Sequence, residues 1–230
     1  MSITSQVRVV GACLVGFAVA FFANMVLTDV PDIGATNAAA VDFYAVAANR
    51  TQAVVAFYVL IAVVICLIAV LASLLPLARA RGRDGLASAA WVSGGAFIGL
   101  YLAGGAAFFL PTATVTLGFG DSATIDPIFA RTISTWGDAL FLIAAPVALG
   151  ACLALSCRAA HISGAMPRWI VYAGYAVAVS LLLAGWTWFP FLLMVIWALI
   201  AGLRTLLGPH GISTAHSGDA GIDRAVISSA

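Results

Sequence analysis

Asp138 is the one acid within the first turns of an apolar run, in Ser134-Thr135-Trp136-Gly137-Asp138. A carboxylate there could ligate a proton or a cation inside a membrane, although at a helix centre it would cost about 2.5–3.5 kcal/mol to insert. It could equally serve a helix end. With Thr135 as cap, Asp138 becomes the third helical residue, where a carboxylate favours the positive terminus and stays near the outer surface. Asn24, toward the outer end of the first apolar run, and Arg131 are its candidate partners. A second stretch, Thr116-Leu117-Gly118-Phe119-Gly120-Asp121, has the residue types by which stacked backbone carbonyls can replace an ion's hydration shell.

The carbonyl-ladder reading fails on space. A selectivity filter is held by a short pore helix set between a spanning helix and the filter itself. Here the third apolar run ends near Leu110, Pro111 interrupts, and only Pro111 to Val115 precede Thr116. Taking 98–111 as the pore helix would put Arg79, Arg81 and Arg83 outside, against the tendency of arginine to stay cytoplasmic. The stretch therefore reads as a Thr/Gly-rich outer loop, with a transporter or cation channel using Thr116–Asp121 or Asp138 as the alternative.

Enzyme chemistry has little to work with. His161, His210 and His216 lie outside the apolar runs, so paired intramembrane haem ligands are lacking, and there is no HExxH, paired CxxC or phosphate-cradling loop. Cys13, Cys66, Cys152 and Cys157 fall in or at the ends of apolar runs, which suits small apolar residues rather than a disulfide framework. Cys152 and Cys157, five apart, do not share a helix face for a metal. The chain has no Lys, so no Schiff base can form. The expectation is a non-enzymatic protein without cofactor or metal.

The elements that must position these residues follow from composition. The 230 residues are 63% hydrophobic and 8% charged, far from the roughly 25% charged content of soluble domains. Mean hydropathy is +1.12. Hydrocarbon tolerates only backbones that satisfy their own hydrogen bonds, so long apolar runs must be helices. The net charge of +1 gives no reason to expect nucleic acid. The fold class is all-α: a polytopic membrane helix bundle of six transmembrane helices at about 9–27, 52–75, 88–110, 134–157, 169–186 and 189–207, the last two forming a hairpin around Gly185 to Pro190. The first run continues through Leu27, longer than a signal-peptide core, and is expected to remain as a span.

Arginine sets the orientation. With the N-terminus inside, Arg8, Arg79, Arg81, Arg83, Arg158, Arg168, Arg204 and Arg224 are cytoplasmic, and only Arg50 and Arg131 lie outside. Both ends are then cytoplasmic (N-in/C-in), in a bacterial cytoplasmic (inner) membrane. Residues 1–207 form one transmembrane domain, and the Gly/Ser/Ala-rich tail, 208–230, is expected to be disordered. Two outer loops, about 28–51 and 111–133, carry most of the polar residues. Asn37 to Arg50 reads as a helical patch capped by Asn37 and lying along the outer interface. Gly95 and Gly99 make a GxxxG step, expected to pack inside the bundle.

Several short motifs resemble those of a group of actinobacterial multi-pass membrane proteins described as domains of unknown function. They are Phe43-Tyr44 with Asn49-Arg50, Gly118-Phe119-Gly120 with Asp126-Pro127 and Ala130-Arg131, and Met166-Pro167-Arg168-Trp169. The resemblance covers about residues 10–207. It implies an outer loop at Thr114–Asp121 and brings no activity or site residue with it. The expected function is binding of a lipid, a small apolar ligand, a membrane-protein partner or a second copy of the chain. The expected contacts are Asp138, Asn24, Asp42, Arg50 and Arg131, all toward the outer side.

Overall fold

The computed structural model of the protein describes residues 3–31, 34–118, 125–184 and 187–207. The long helices are α1 (Ile3–Leu27), α3 (Ala47–Arg79), α4 (Asp84–Thr116) and α8 (Phe189–Leu207), with α5 (Pro127–Ala139) running through a π turn (Leu140–Ala144) into α6 (Ala145–Ser163). With α5–α6 counted as one rod, these are five helices long and apolar enough to cross a membrane. α7 (Arg168–Ala184) has 17 residues, about 25 Å at 1.5 Å per residue against a hydrocarbon core of about 30 Å. α2 (Asn37–Ala45) is a short helix beside α3 and α5.

The long helices close a ring. α1 lies between α3 and α8, α4 between α3 and α6, and α7 between α6 and α8, while α3 also meets α6 across the middle. Leu60, Val63, Leu71, Leu74, Ile170 and Leu181 are buried inside. Tyr58, Ile65, Val92, Ile143 and Leu183 point outward, an apolar exterior that suits acyl chains rather than water. The chain is thus a multi-pass, all-α membrane protein.

Four features depart from the sequence expectations. The fourth rod begins at Pro127, not at 134: the Asp126 side chain accepts from Ile128 N at 2.9 Å, and Pro127 takes a first-turn position that needs no N–H. Thr135 therefore caps nothing. Its hydroxyl donates to Arg131 O at 2.8 Å within the helix, as Thr132 and Ser134 donate to Ile128 O and Ala130 O. These i−4 bonds let a polar-looking stretch remain helical, and Asp138 stands at the far end of α5 rather than at a helix N-terminus.

Likewise α4 does not stop at Leu110. It continues through buried Pro111 to Thr116 and ends where Gly118 turns left-handed at φ 76°, a conformation glycine adopts without Cβ cost. Thr116 is helical and Leu117 N donates to Ala113 O at 2.9 Å, so the first residues of the Thr116–Asp121 stretch form a helix end and not a carbonyl ladder. Phe119 to Asp121 lie outside the described residues, as does the tail expected to be disordered.

The patch from Asn37 to Arg50 is also two pieces, broken at Val46, and its cap is Thr36, whose hydroxyl accepts from Ala39 N at 3.1 Å. Finally, Gly95 and Gly99 are exposed with open space where a Cβ would stand. The buried glycines of α4 are Gly94, Gly104 and Gly105, on another face.

Candidate functional site

Two polar side chains inside the apolar rods find each other. Asn24 on α1 and Tyr101 on α4 are 2% and 1% exposed. Tyr101 Oη donates to Asn24 Oδ1 at 2.7 Å, and Asn24 Nδ2 donates to Ala56 O on α3 at 2.9 Å. Burial without partners would be costly for either group, so the bonds tie α1, α3 and α4 together at one level. Tyr101 also stacks on Phe21, at a centroid distance of 5.6 Å, and meets the Phe141 ring at a tilt, at 4.4 Å.

Next to this tie is a cavity of about 320 Å³, within the roughly 300–1,000 Å³ typical of small-molecule sites. Asn24, Thr28, Asp29 and Asp138 supply its polar lining, and the rings of Phe21, Phe108, Phe141, Trp188 and Phe191 most of the rest. One aromatic wall is Phe21, Phe191 and Trp188, with Phe21–Phe191 at 5.7 Å and Trp188–Phe191 at 6.2 Å. The other is Phe108 with Phe141 at 5.4 Å. Tyr101 joins the two walls. Asp29 is exposed and Asp138 half-buried, and among the described residues no Arg or His lines the cavity.

Local backbone features place the second wall. A Cβ on Gly104 would stand 2.5 Å from the Phe141 ring and 3.2 Å from Gly137 O, and one on Gly137 would stand 3.1 Å from Gly104 O. α4 and α5 therefore touch backbone to backbone there, one residue before Asp138. The π turn follows: Ala145 N donates to Leu140 O, five residues back, and Pro146 has no N–H with which to continue the ordinary ladder. Asp138, Phe141 and Leu142, three and four residues apart on one helix face, line the same cavity.

Of the residues expected to contact a ligand, Asn24 and Asp138 share this cavity, and Asp42, Arg50 and Arg131 do not line it. Asp42 is exposed on α2. The two arginines hold backbone instead. Arg50 donates to Tyr44 O and, at 2.9 Å, to Ala45 O at the end of α2, where a cation complements the helix dipole. Arg131 donates to Ala35 O just before α2, and to Pro127 O at 3.3 Å. Between these braces Tyr44 is fully buried. Its neighbour Ser134 gives its own proton to Ala130 O, and Tyr44 Oη has no hydrogen-bond partner among the described residues. Burial pushes the Tyr44 phenol above its ordinary value.

Sequence reading missed Tyr101, Asp29 and the five rings. Tyr101 carried a signal: two hydrogen-bonding side chains inside apolar helices call for one another. The rings carried none, because aromatics in spans are ordinary core or lipid-facing residues.

Among the described residues no group of three or more His, Cys, Asp or Glu is placed to hold a metal ion. The buried Cys152 and Cys157 border a separate internal cavity of about 50 Å³ with an apolar lining. The geometry defines a helical membrane protein with an aromatic and acidic cavity between its rods. Compared with protein-family models, characterised proteins and solved structures, the chain gives no match.

Proposed function

We propose that this protein binds a small, largely apolar molecule in the cavity between α1, α4, α5 and the α7–α8 joint, and that it does so without catalysis. The observation that carries the reading is the lining itself: five aromatic rings with Asn24 and Asp138 around about 320 Å³. Small-molecule sites are commonly apolar hollows with a few polar groups that fix orientation.

In this proposal α7 makes a sixth crossing and both chain ends are cytoplasmic, in a bacterial inner membrane. Arg8, Arg79, Arg81, Arg83, Arg158, Arg168 and Arg204 support that orientation, since each lies near the α1 start, the α3–α4 turn, the α6–α7 turn or the α8 end. The cavity then opens at the outer leaflet.

Binding is tested with the full chain in lipid nanodiscs, using benzyl alcohol as a neutral probe and saturation-transfer NMR as the readout. Saturable transfer that is lost in Met25→Trp, which fills the cavity, supports the site. Transfer equal to that of empty nanodiscs overturns it. Sidedness is tested with Gly82→Cys: labelling by an impermeant maleimide only after the membrane is opened supports the orientation, and labelling of intact cells reverses it.

A further inference from the structure

We infer that the outward seam between α6 and α7, at the end of the bundle away from the aromatic cavity, binds the phosphate headgroup of an anionic phospholipid. Arg158 and His161 are three apart on α6, and Arg168, Tyr172 and Tyr175 follow one another by four and three on α7, so each set shares one helix face. The two faces meet. The His161 and Tyr172 rings stand 6.4 Å apart, the Arg158 guanidinium acts electrostatically on the Tyr175 phenol, and Tyr172 and Tyr175 act on each other. Arg158, Arg168 and Tyr172 are exposed, and His161 and Tyr175 are half-buried. Guanidinium, imidazole and phenol are all donors to a phosphodiester, and the planar guanidinium matches it best.

The charge of this patch is uncompensated. From Ala139 to Leu207 the chain has no acidic residue, and Arg158 and Arg168 make no ion pair or hydrogen bond among the described residues. Arg158 also precedes the end of α6 at Ser163 by five residues, about 7.5 Å along the axis. A cation at that depth on an outward face is poorly placed against acyl chains, and its stable position is toward the headgroup layer. The neighbouring α7 is short, 17 residues, and a bilayer thins beside a short helix, which lowers the phosphates toward the arginine.

Deeper along the same faces the seam turns apolar. Ala154 and Ala151 continue from Arg158 by four and three on α6, and Val179 and Leu182, 52% and 44% exposed, continue from Tyr175 by the same steps on α7. The helices touch there: a Cβ on Gly150 would stand 2.9 Å from Ala178 O and 3.0 Å from Leu182 Cγ. A basic foot joined to an outward apolar strip matches a molecule with an anionic head and an acyl chain. A free anion would use the foot alone, and a choline headgroup carries a cation that the two arginines oppose.

The test uses the purified full chain in dodecylmaltoside, titrated with dioleoylphosphatidylglycerol or dioleoylphosphatidylcholine, with lipid retention read by native mass spectrometry. The expected result is about tenfold or greater preference for phosphatidylglycerol, reduced about fivefold in Arg158→Gln and in Arg168→Gln. Arg81→Gln, at an exposed position in the α3–α4 turn, should leave the preference unchanged. All three side chains are exposed, and equal unfolding temperatures check that the variants keep the fold.

Equal retention of the two lipids overturns the inference. A loss of the same size in Arg81→Gln also overturns it, because diffuse positive charge then accounts for the preference. Displacement of phosphatidylglycerol by inorganic phosphate at constant ionic strength makes the patch a free-anion site and overturns the lipid assignment.

Discussion

Tyr101 Oη and Asn24 Oδ1 meet at 2.7 Å across 77 residues of chain. The bond fixes the depth of α4 against α1, and the second bond, Asn24 Nδ2 to Ala56 O, extends the same tie to α3. Because Tyr101 also packs against the rings of Phe21 and Phe141, one side chain sets both the helix register and the spacing of the cavity walls.

Tyr101→Phe keeps the stacking and leaves Asn24 Oδ1 without that donor. A loss of about 1–3 kcal/mol is expected for a buried unsatisfied group. A double-mutant cycle with Asn24→Ala, read by thermal unfolding in detergent, should give a coupling energy of about 0.5–1.7 kcal/mol, the range found between membrane helices. A coupling near zero would show that the two residues do not act together.

The glycines of α4 should separate into two groups. Gly104→Ala brings a Cβ within 2.5 Å of the Phe141 ring and should destabilise by about 1–3 kcal/mol, as other overpacked sites do. Gly95→Ala and Gly99→Ala meet open space and should be neutral or stabilising by up to about 1 kcal/mol through helix propensity. Unfolding temperatures of the three variants decide the matter. Equal damage at Gly95 would mean that the GxxxG face is covered in the folded protein.

Arg131 and Arg50 brace the two ends of α2 through Ala35 O, Tyr44 O and Ala45 O. Arg131→Ala should free the start of α2 and raise amide exchange across Asn37–Ala45 by about tenfold or more, as expected for losing a charge-assisted hydrogen bond of about 1.5–3 kcal/mol. The cavity probe should bind unchanged, because neither arginine lines the site.

Tyr44 makes α2 docking sensitive to alkali. Its phenol is raised above the ordinary 10.0 when docked. Below that value both the docked and the undocked side chains are neutral and pH has no effect through this group. Above it only the undocked phenol ionises, so docking weakens as pH rises. A fluorophore on Ala38→Cys should lose anisotropy between about pH 9 and about pH 12 in the native sequence and hold it in Tyr44→Phe. With its Oη unpartnered, Tyr44→Phe should also be neutral or stabilising at pH 7.

How much was legible in the residues varies along the chain. The apolar runs declare helices, and the centres of the rods lie where hydropathy puts them. The ends do not, because Pro111 continues inside α4 and Thr132, Ser134 and Thr135 return their hydroxyl protons to carbonyls of their own helix. Composition counts such residues as breakers or loop formers, whereas a helix packed on its neighbours accommodates them.

The site divides in the same way. The sequence alone determined that the protein is a bundle of apolar helices, because hydrocarbon leaves an unpaired backbone no alternative; it also picked out Asn24 and Asp138 as polar groups in apolar surroundings. Only the tertiary structure decided that these two border one cavity, that Tyr101 and the five rings complete it, and that Arg50 and Arg131 belong to the docking of α2. Hydropathy is a property of each segment by itself. Which faces meet depends on side-chain shape across the rods, as where Gly104 and Gly137 let α4 and α5 touch and the Phe141 ring lies against Gly104.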